Sequence, residues 1–182
     1  MTGPQSQHAA GLEGQANAEV LKEQSSFVTH VHDYICDFIK FADQKAAFIF
    51  AGASALLTLV YNQGGRTIWH VSVGSWRTHE WLAGVTTVLT VASAVLAILA
   101  VAPRLKGARR GLIYWGSISG FSDPQEYRAA LARLDSRGAT DEISRHCYEL
   151  SRIAKHKYEL IKWAMWLGIA GLVVGGTYLL FF

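Results

Sequence analysis

The chain has 182 residues, of which 51% are hydrophobic and 17% charged, with a formal net charge of +3. Soluble domains average about 25% charged residues, so this composition argues against an ordinary soluble globular chain. The two cysteines, Cys36 and Cys147, have no metal-ligand spacing and fall in segments read below as cytoplasmic, so they are expected to be reduced thiols.

Residues 1–18 carry no Lys or Arg and no apolar core, which argues against a signal peptide there and predicts a disordered N-terminus. Residues 19–45 read as a cytoplasmic amphipathic helix. Phe27, Val31, Tyr34, Ile35, Phe38 and Phe41 recur at helical spacing, with Asp33, Asp37 and Lys40 between them. Residues 46–62 form the first membrane-spanning helix. Its apolar run, Ala46 to Tyr61, has 16 residues, or roughly 24 Å of helix. It reaches across if Lys45 snorkels and the preceding residues sit among headgroups. The alternative, a core helix of a soluble protein, suits this run better than the other two.

Residues 63–80 form the outer loop, where Gly64-Gly65 ends the helix and 68–73 reads as a short strand or a surface-lying segment. The second span is 81–102, with 22 uncharged residues from Trp81 to Ala102. That satisfies the roughly 20 apolar residues needed to cross a hydrocarbon core of about 30 Å. Pro103-Arg104 ends it. Residues 103–160 form a cytoplasmic region that opens on the basic cluster Arg104, Lys106, Arg109 and Arg110 and continues through an aromatic and glycine-rich connection at 111–120. Asp123, Pro124 and Glu126 then spell a helix start with a capping box. Tyr127, Ala130, Leu131 and Leu134 give that helix an apolar face, and Gly138 is expected to stop it. A further helix begins at Thr140, places Ile143, Cys147, Leu150, Ala154 and Ile161 on one face, and runs unbroken into the third span at 161–182.

The fold class is therefore an all-α membrane protein with three transmembrane helices. The first and third are continuous with long cytoplasmic helices, and a small helical region joins them. Twelve of the 17 Lys and Arg residues lie in 103–162, which places that segment and the N-terminus in the cytoplasm and the C-terminus outside.

Chemistry-bearing patterns are few. His30 and His32 are two residues apart on a helix and point away from each other, so they do not form a metal site. No nucleophile motif or phosphate loop is present, and the chain reads as neither an enzyme nor a nucleic-acid binder. The basic residues of 103–162 are largely accounted for by topology and contact with anionic lipid. Arg104 to Arg110 nevertheless precede Tyr114-Trp115, and Lys155 and Lys157 precede Tyr158. Basic and aromatic side chains together suit a small phosphorylated ligand with a base to stack. Asp43 and Lys45 stand two apart at the mouth of the first span and cannot face each other. Lys40, three residues earlier, can reach Asp43; otherwise Asp43 lies among headgroups, pairs with another helix, where Lys157 and Lys162 lie at comparable depth, or takes part in ligand binding. Gly168, Gly171 and Gly175 suit either an oligomer face or packing within one protomer.

These residues resemble the Pycsar effector transmembrane family, PycTM. The likeness runs from about residue 27 to 178. It rests on Ala42, Asp43, Lys45 and Ala46 leading into the first span, Pro103-Arg104, the aromatic-glycine stretch Tyr114 to Ile118, and Tyr148, Leu150, Ser151, Ile153, Lys157 and Tyr158 before the last span. Trp115 stands where Phe is expected, which keeps the aromatic character. The resemblance implies a non-catalytic effector of anti-phage defence in the bacterial inner membrane. It would respond to a cyclic pyrimidine mononucleotide, cCMP or cUMP, made by a partner cyclase, and would impair membrane integrity. No cofactor is implied, and the lipid bilayer and further copies of the chain are the expected partners. Arg104 and Lys157 are then candidates for the phosphate, Tyr114, Trp115 and Tyr158 for the base, and Asp43 and Lys45 for structure or coupling. The competing reading is a membrane scaffold or accessory subunit that senses nothing and docks a cytoplasmic partner.

Overall fold

A computed structural model describes residues 4–63, 72–102 and 111–181, with side chains from Gln15 onward except Ala16. The described residues are mostly helical, without a strand: α1 is Pro4–Asn62, α2 Thr78–Val101, α3 Trp115–Ile118, α4 Pro124–Ala132 and α5 Ser136–Phe181. α1, α2 and α5 are each long and apolar enough to cross a membrane. α1 begins at Pro4, inside the stretch whose composition reads as disordered. Ile68 to Val71 lie outside the described residues, and the chain re-emerges as a short 3-10 turn at Val73–Ser75.

The chain divides into two compact units, Met1–Asp37 with Arg104–Arg152, and Phe38–Pro103 with Ile153–Phe182. In the second unit the core is built from small side chains. Ala42, Ala46, Ala97, Ala100 and Ala164 are buried together with Ile161. Large apolar side chains lie outside: Phe48, Val88, Trp163, Leu172 and Leu180 are all exposed. Water would penalise that arrangement, whereas lipid tails solvate large apolar groups and leave close backbone approach to hold the helices.

The glycines of α5 decide how closely α2 approaches. A Cβ on Gly168 would lie 3.1 Å from Ser93 Oγ, one on Gly171 3.0 Å from Thr90 Oγ1, and one on Gly175 2.7 Å from Thr86 Cγ2. Ser93 Oγ donates to the Ala164 carbonyl at 2.7 Å. These three glycines pack within one protomer, which settles the choice between that and an oligomer face. Gly176, by contrast, has open space around its Cβ position. At the far end Val60 and Ala83 bury Tyr178, whose hydroxyl donates to the Gln63 carbonyl at 2.9 Å.

In the first unit, the Asp123 carboxylate accepts from Glu126 N–H at 2.8 Å and so starts α4. The return contact goes one residue further back than a capping box requires, from Ser122 N–H to Glu126 Oε2 at 2.9 Å. α4 ends at Ala132 with Arg133 as its cap, so Gly138 does not stop it. Gly138 instead sits in the first turn of α5, its N–H donating to Asp135 Oδ1 at 2.7 Å. The sequence misplaces this start because an Asp three residues before a Gly fits a turn and a cap equally well.

One face of α1 also departs from expectation. The covered residues in the first unit, among them Leu21, Val28, His32 and Ile35, recur at alternating steps of three and four, as do Ala42, Ala46, Ile49 and Ala53 in the second. Such a seam belongs to helices that wind around each other left-handedly. Phe27, Tyr34, Phe38 and Phe41, expected on the covered face, are exposed instead. α5 presents Cys147 and Ile161 as buried and Ile143, Leu150 and Ala154 as half-buried, the face read from the sequence.

Candidate functional site: a charged cluster at the mouth of the spans

Asp43 and Lys157 form an ion pair between α1 and α5 within the second unit. The spacing explains how. Asp43 follows the buried Ala42 by one position, and Lys157 itself occupies a covered position of α5. Lys157 is buried, with only 10% of its side chain exposed, against 38% for Asp43. A buried ammonium is tolerable only when its charge is met, and here Asp43 meets it.

Next to this pair, Lys45 Nζ lies 5.4 Å from the centroid of the Tyr158 ring, within range for a cation–π contact. The Tyr158 hydroxyl donates to the Phe38 carbonyl at 3.3 Å, its ring lies 6.2 Å from that of Phe38, and it packs on the buried alanine cluster. Asp43, Lys45, Lys157 and Tyr158 are thus brought together where the alanine-lined spans begin.

Tyr114 and Trp115 belong to the first unit, and Arg104 lies outside the described residues. Tyr114 precedes α3, its ring 5.3 Å from that of Trp115 and stacked over Gly116, where a Cβ would come within 2.5 Å of it. The Tyr114 hydroxyl is buried without a hydrogen-bond partner, whereas Trp115 is 62% exposed. Two side chains fix this connection. Leu112 N–H donates to Glu142 Oε1 at 2.7 Å, and the Tyr127 hydroxyl donates to the Leu112 carbonyl at 2.9 Å. Glu142 Oε2 in turn accepts from Arg145 at 2.5 Å. No local pattern marks this clamp, because it links residues 30 positions apart.

The sequence also left a groove of mixed polarity unmarked. Ala18 and Leu21 of α1 line it with Lys22, Ser25, Ser26, Thr29, His30 and Asp33, together with Ser136, and its volume is about 710 Å³. That volume is in the range of small-molecule sites. His30 faces this groove, while the His32 ring stacks 5.6 Å from His146, so the two histidines diverge as helix geometry requires. Its only trace in the sequence is Ser, Thr and Asp at steps of three and four, a pattern shared with any solvated helix face.

The arrangement of the second unit is that of a lock. An inter-helix ion pair and a cation–π contact tie α1 to α5, and neither supplies a nucleophile beside a base. Compared with known proteins, the chain matches the family model of the Pycsar effector protein domain, PycTM, over residues 27–182. No curated protein and no solved structure matches it. A match over nearly the whole chain, on a multi-pass helical membrane protein, is decisive for the family: the chain belongs to PycTM, the Pycsar effector family.

Proposed function

We propose that this protein is the membrane effector of a Pycsar-type anti-phage system that responds to cCMP or cUMP and impairs the inner membrane, without catalysing a reaction. The observation that carries the reading is the family match over residues 27–182. The N-terminus and residues 103–160 face the cytoplasm, where a partner cyclase would release the nucleotide, and the C-terminus faces outward. Copies of the chain associate in the bilayer.

The site geometry refines the roles. Lys157 already has its charge met by Asp43, which suits it to coupling α1 to α5 rather than to holding a phosphate, and Lys45 with Tyr158 shares that role. Recognition falls to the first unit, with the exposed Trp115 ring as the stacking surface for the pyrimidine and Arg104 for the phosphate. A ligand shifts a two-state protein only by binding one state better. Nucleotide bound there would favour the packing of α1 and α5 that disturbs the bilayer.

The test is equilibrium binding of cCMP, cUMP, cAMP, cGMP and a cyclic dinucleotide to the detergent-purified chain. Selective binding of one cyclic pyrimidine nucleotide is expected. Trp115→Ala should weaken it about tenfold, in line with the roughly 1–3 kcal/mol of a base–aromatic stack. Folded protein that binds none of the five overturns the sensor reading and favours docking of a cytoplasmic partner.

A further inference from the structure

Within the second unit α1 and α5 leave a narrow groove between their apolar stretches. Ile49, Gly52 and Leu56 line it from α1 and Met165, Ile169 and Leu172 from α5, with Thr90 of α2, and its volume is about 220 Å³. α1 brings no side chain at Gly52, where a Cβ would meet nothing within 4 Å. The groove has a charged end. On α1, Lys45, Ile49, Gly52 and Leu56 follow at steps of four, three and four. On α5, Tyr158, Lys162, Met165, Ile169 and Leu172 follow at four, three, four and three. Each series keeps to one side of its helix, and the contact of Lys45 with the Tyr158 ring joins the two series where they begin. Lys45 and Lys162 are both exposed, and among the described residues neither is paired with a carboxylate. Asp43 is taken by Lys157. Glu159 stands about 100° round α5 from Tyr158, on the side away from the groove.

We propose that this groove holds one acyl chain of an anionic phospholipid, whose phosphate lies between Lys45 and Lys162. Length, gauge and polarity select that occupant. α1 rises about 16 Å from Lys45 to Leu56, and α5 about 15 Å from Lys162 to Leu172. Each is half of a hydrocarbon core about 30 Å thick, so the site runs from headgroup level to the midplane of one leaflet. Thr90 agrees with that depth, since it stands midway along α2, Thr78–Val101. Between Ile49 and Leu56 the helix rises about 10 Å, so 220 Å³ spread over that length is a section of about 20 Å². A helix about 10–12 Å across has roughly four times that section or more, so another copy cannot lay a helix there, whereas a single hydrocarbon chain fits. Two unpaired ammoniums at one end, with apolar side chains beyond them, repeat the order of an anionic amphiphile. Basic pockets between membrane helices take acidic lipid headgroups in the same way. The bound lipid ties α1 to α5 beside the Asp43–Lys157 pair. It requires the spans but no nucleotide, so this site and the proposed function can fail independently.

The experiment reconstitutes the full chain in phosphatidylcholine vesicles with a trace of phosphatidylglycerol that carries a diazirine at the end of one acyl chain. A phosphatidylcholine probe with the same chain serves as the comparison. The vesicles are irradiated without nucleotide, and adducts are mapped by mass spectrometry. The phosphatidylglycerol probe is expected to label 52–56 and 165–172 in preference to Val88 and Val91, which are exposed on α2 near the same depth, and to do so several-fold more than the phosphatidylcholine probe. Lys162→Gln should lower the phosphatidylglycerol yield about fivefold and leave the phosphatidylcholine yield unchanged. Gly52→Phe places a ring in the groove and should abolish the preferred adducts; if that variant fails to fold, Lys162→Gln, at an exposed position, decides. Labelling of Val88 and Val91 as strong as that of the groove overturns the proposal. So do equal yields from the two probes, a phosphatidylglycerol yield that Lys162→Gln leaves unchanged, or groove adducts that survive in folded Gly52→Phe.

Discussion

Lys157 and Asp43 are unequal partners, and their substitution should reveal it. Asp43→Asn strands a buried ammonium, whereas Lys157→Met leaves a carboxylate that is already 38% exposed. Stranding one member of a buried pair costs about 3–5 kcal/mol, and the partial exposure of Asp43 puts this pair at or below the low end of that range. Asp43→Asn should therefore destabilise more than Lys157→Met. The double variant should fall short of the sum of the two, as read by thermal unfolding in detergent. Equal losses would point to a role for Lys157 beyond the pair.

His146 offers a second residue-scale test. It lies in the charged part of α5, ahead of the apolar span. Burial holds its imidazole below the ordinary value of 6.5, and His32 adds to the effect, while Glu149 and Glu142 partly oppose it. The unfolded chain then binds the proton more readily than the folded one. Stability must fall as pH drops from 6.5 through the lower folded value. Hydrogen exchange across the first unit should accelerate between about pH 7 and pH 5 after correction for intrinsic rates, and His146→Gln should flatten that dependence.

For α2 and α5 the contact is a zipper of glycine against Ser and Thr side chains. Gly175 and Gly176 are sequence neighbours with opposite surroundings, which makes them a matched pair. Gly175→Ala drives a Cβ to 2.7 Å from Thr86 Cγ2 and should cost about 1–3 kcal/mol by overpacking. Gly176→Ala meets nothing within 4 Å and should leave unfolding unchanged or raise the midpoint slightly. Much of this was legible beforehand: the apolar runs located the three helices long and apolar enough to cross a membrane, and Asp123-Pro124 placed the start of α4. The true start of α5 was not, because the cap at Asp135 depends on where the chain turns rather than on residue type. Nor was the covered face of α1, since aromatic side chains at helical spacing look the same whether they meet a neighbouring helix or lie exposed.

Across the whole molecule, the proposed topology can be tested by labelling. An impermeant thiol reagent should modify cysteines placed at Arg152 only after inner membranes are opened, and at Gly74 in intact spheroplasts. Label at both positions before opening would reverse or break the proposed orientation. The same proposal predicts that expression of the chain with a cyclase and its nucleotide collapses membrane potential, while Trp115→Ala expressed to the same level does not.

The amino-acid sequence by itself determined that the chain is helical and lives in a bilayer, because run length, charge and helix periodicity are local properties. Its motifs also carried the family. Only tertiary structure decided which partners the charged and small residues take: Asp43 with Lys157 across 114 positions, Ser93 with Ala164 across 71, and three glycines with α2 rather than with another copy. The reason is physical. A helix fixes the face on which a side chain stands, but the energy of a buried charge or a missing Cβ depends on what lies opposite, and the neighbouring helix supplies that.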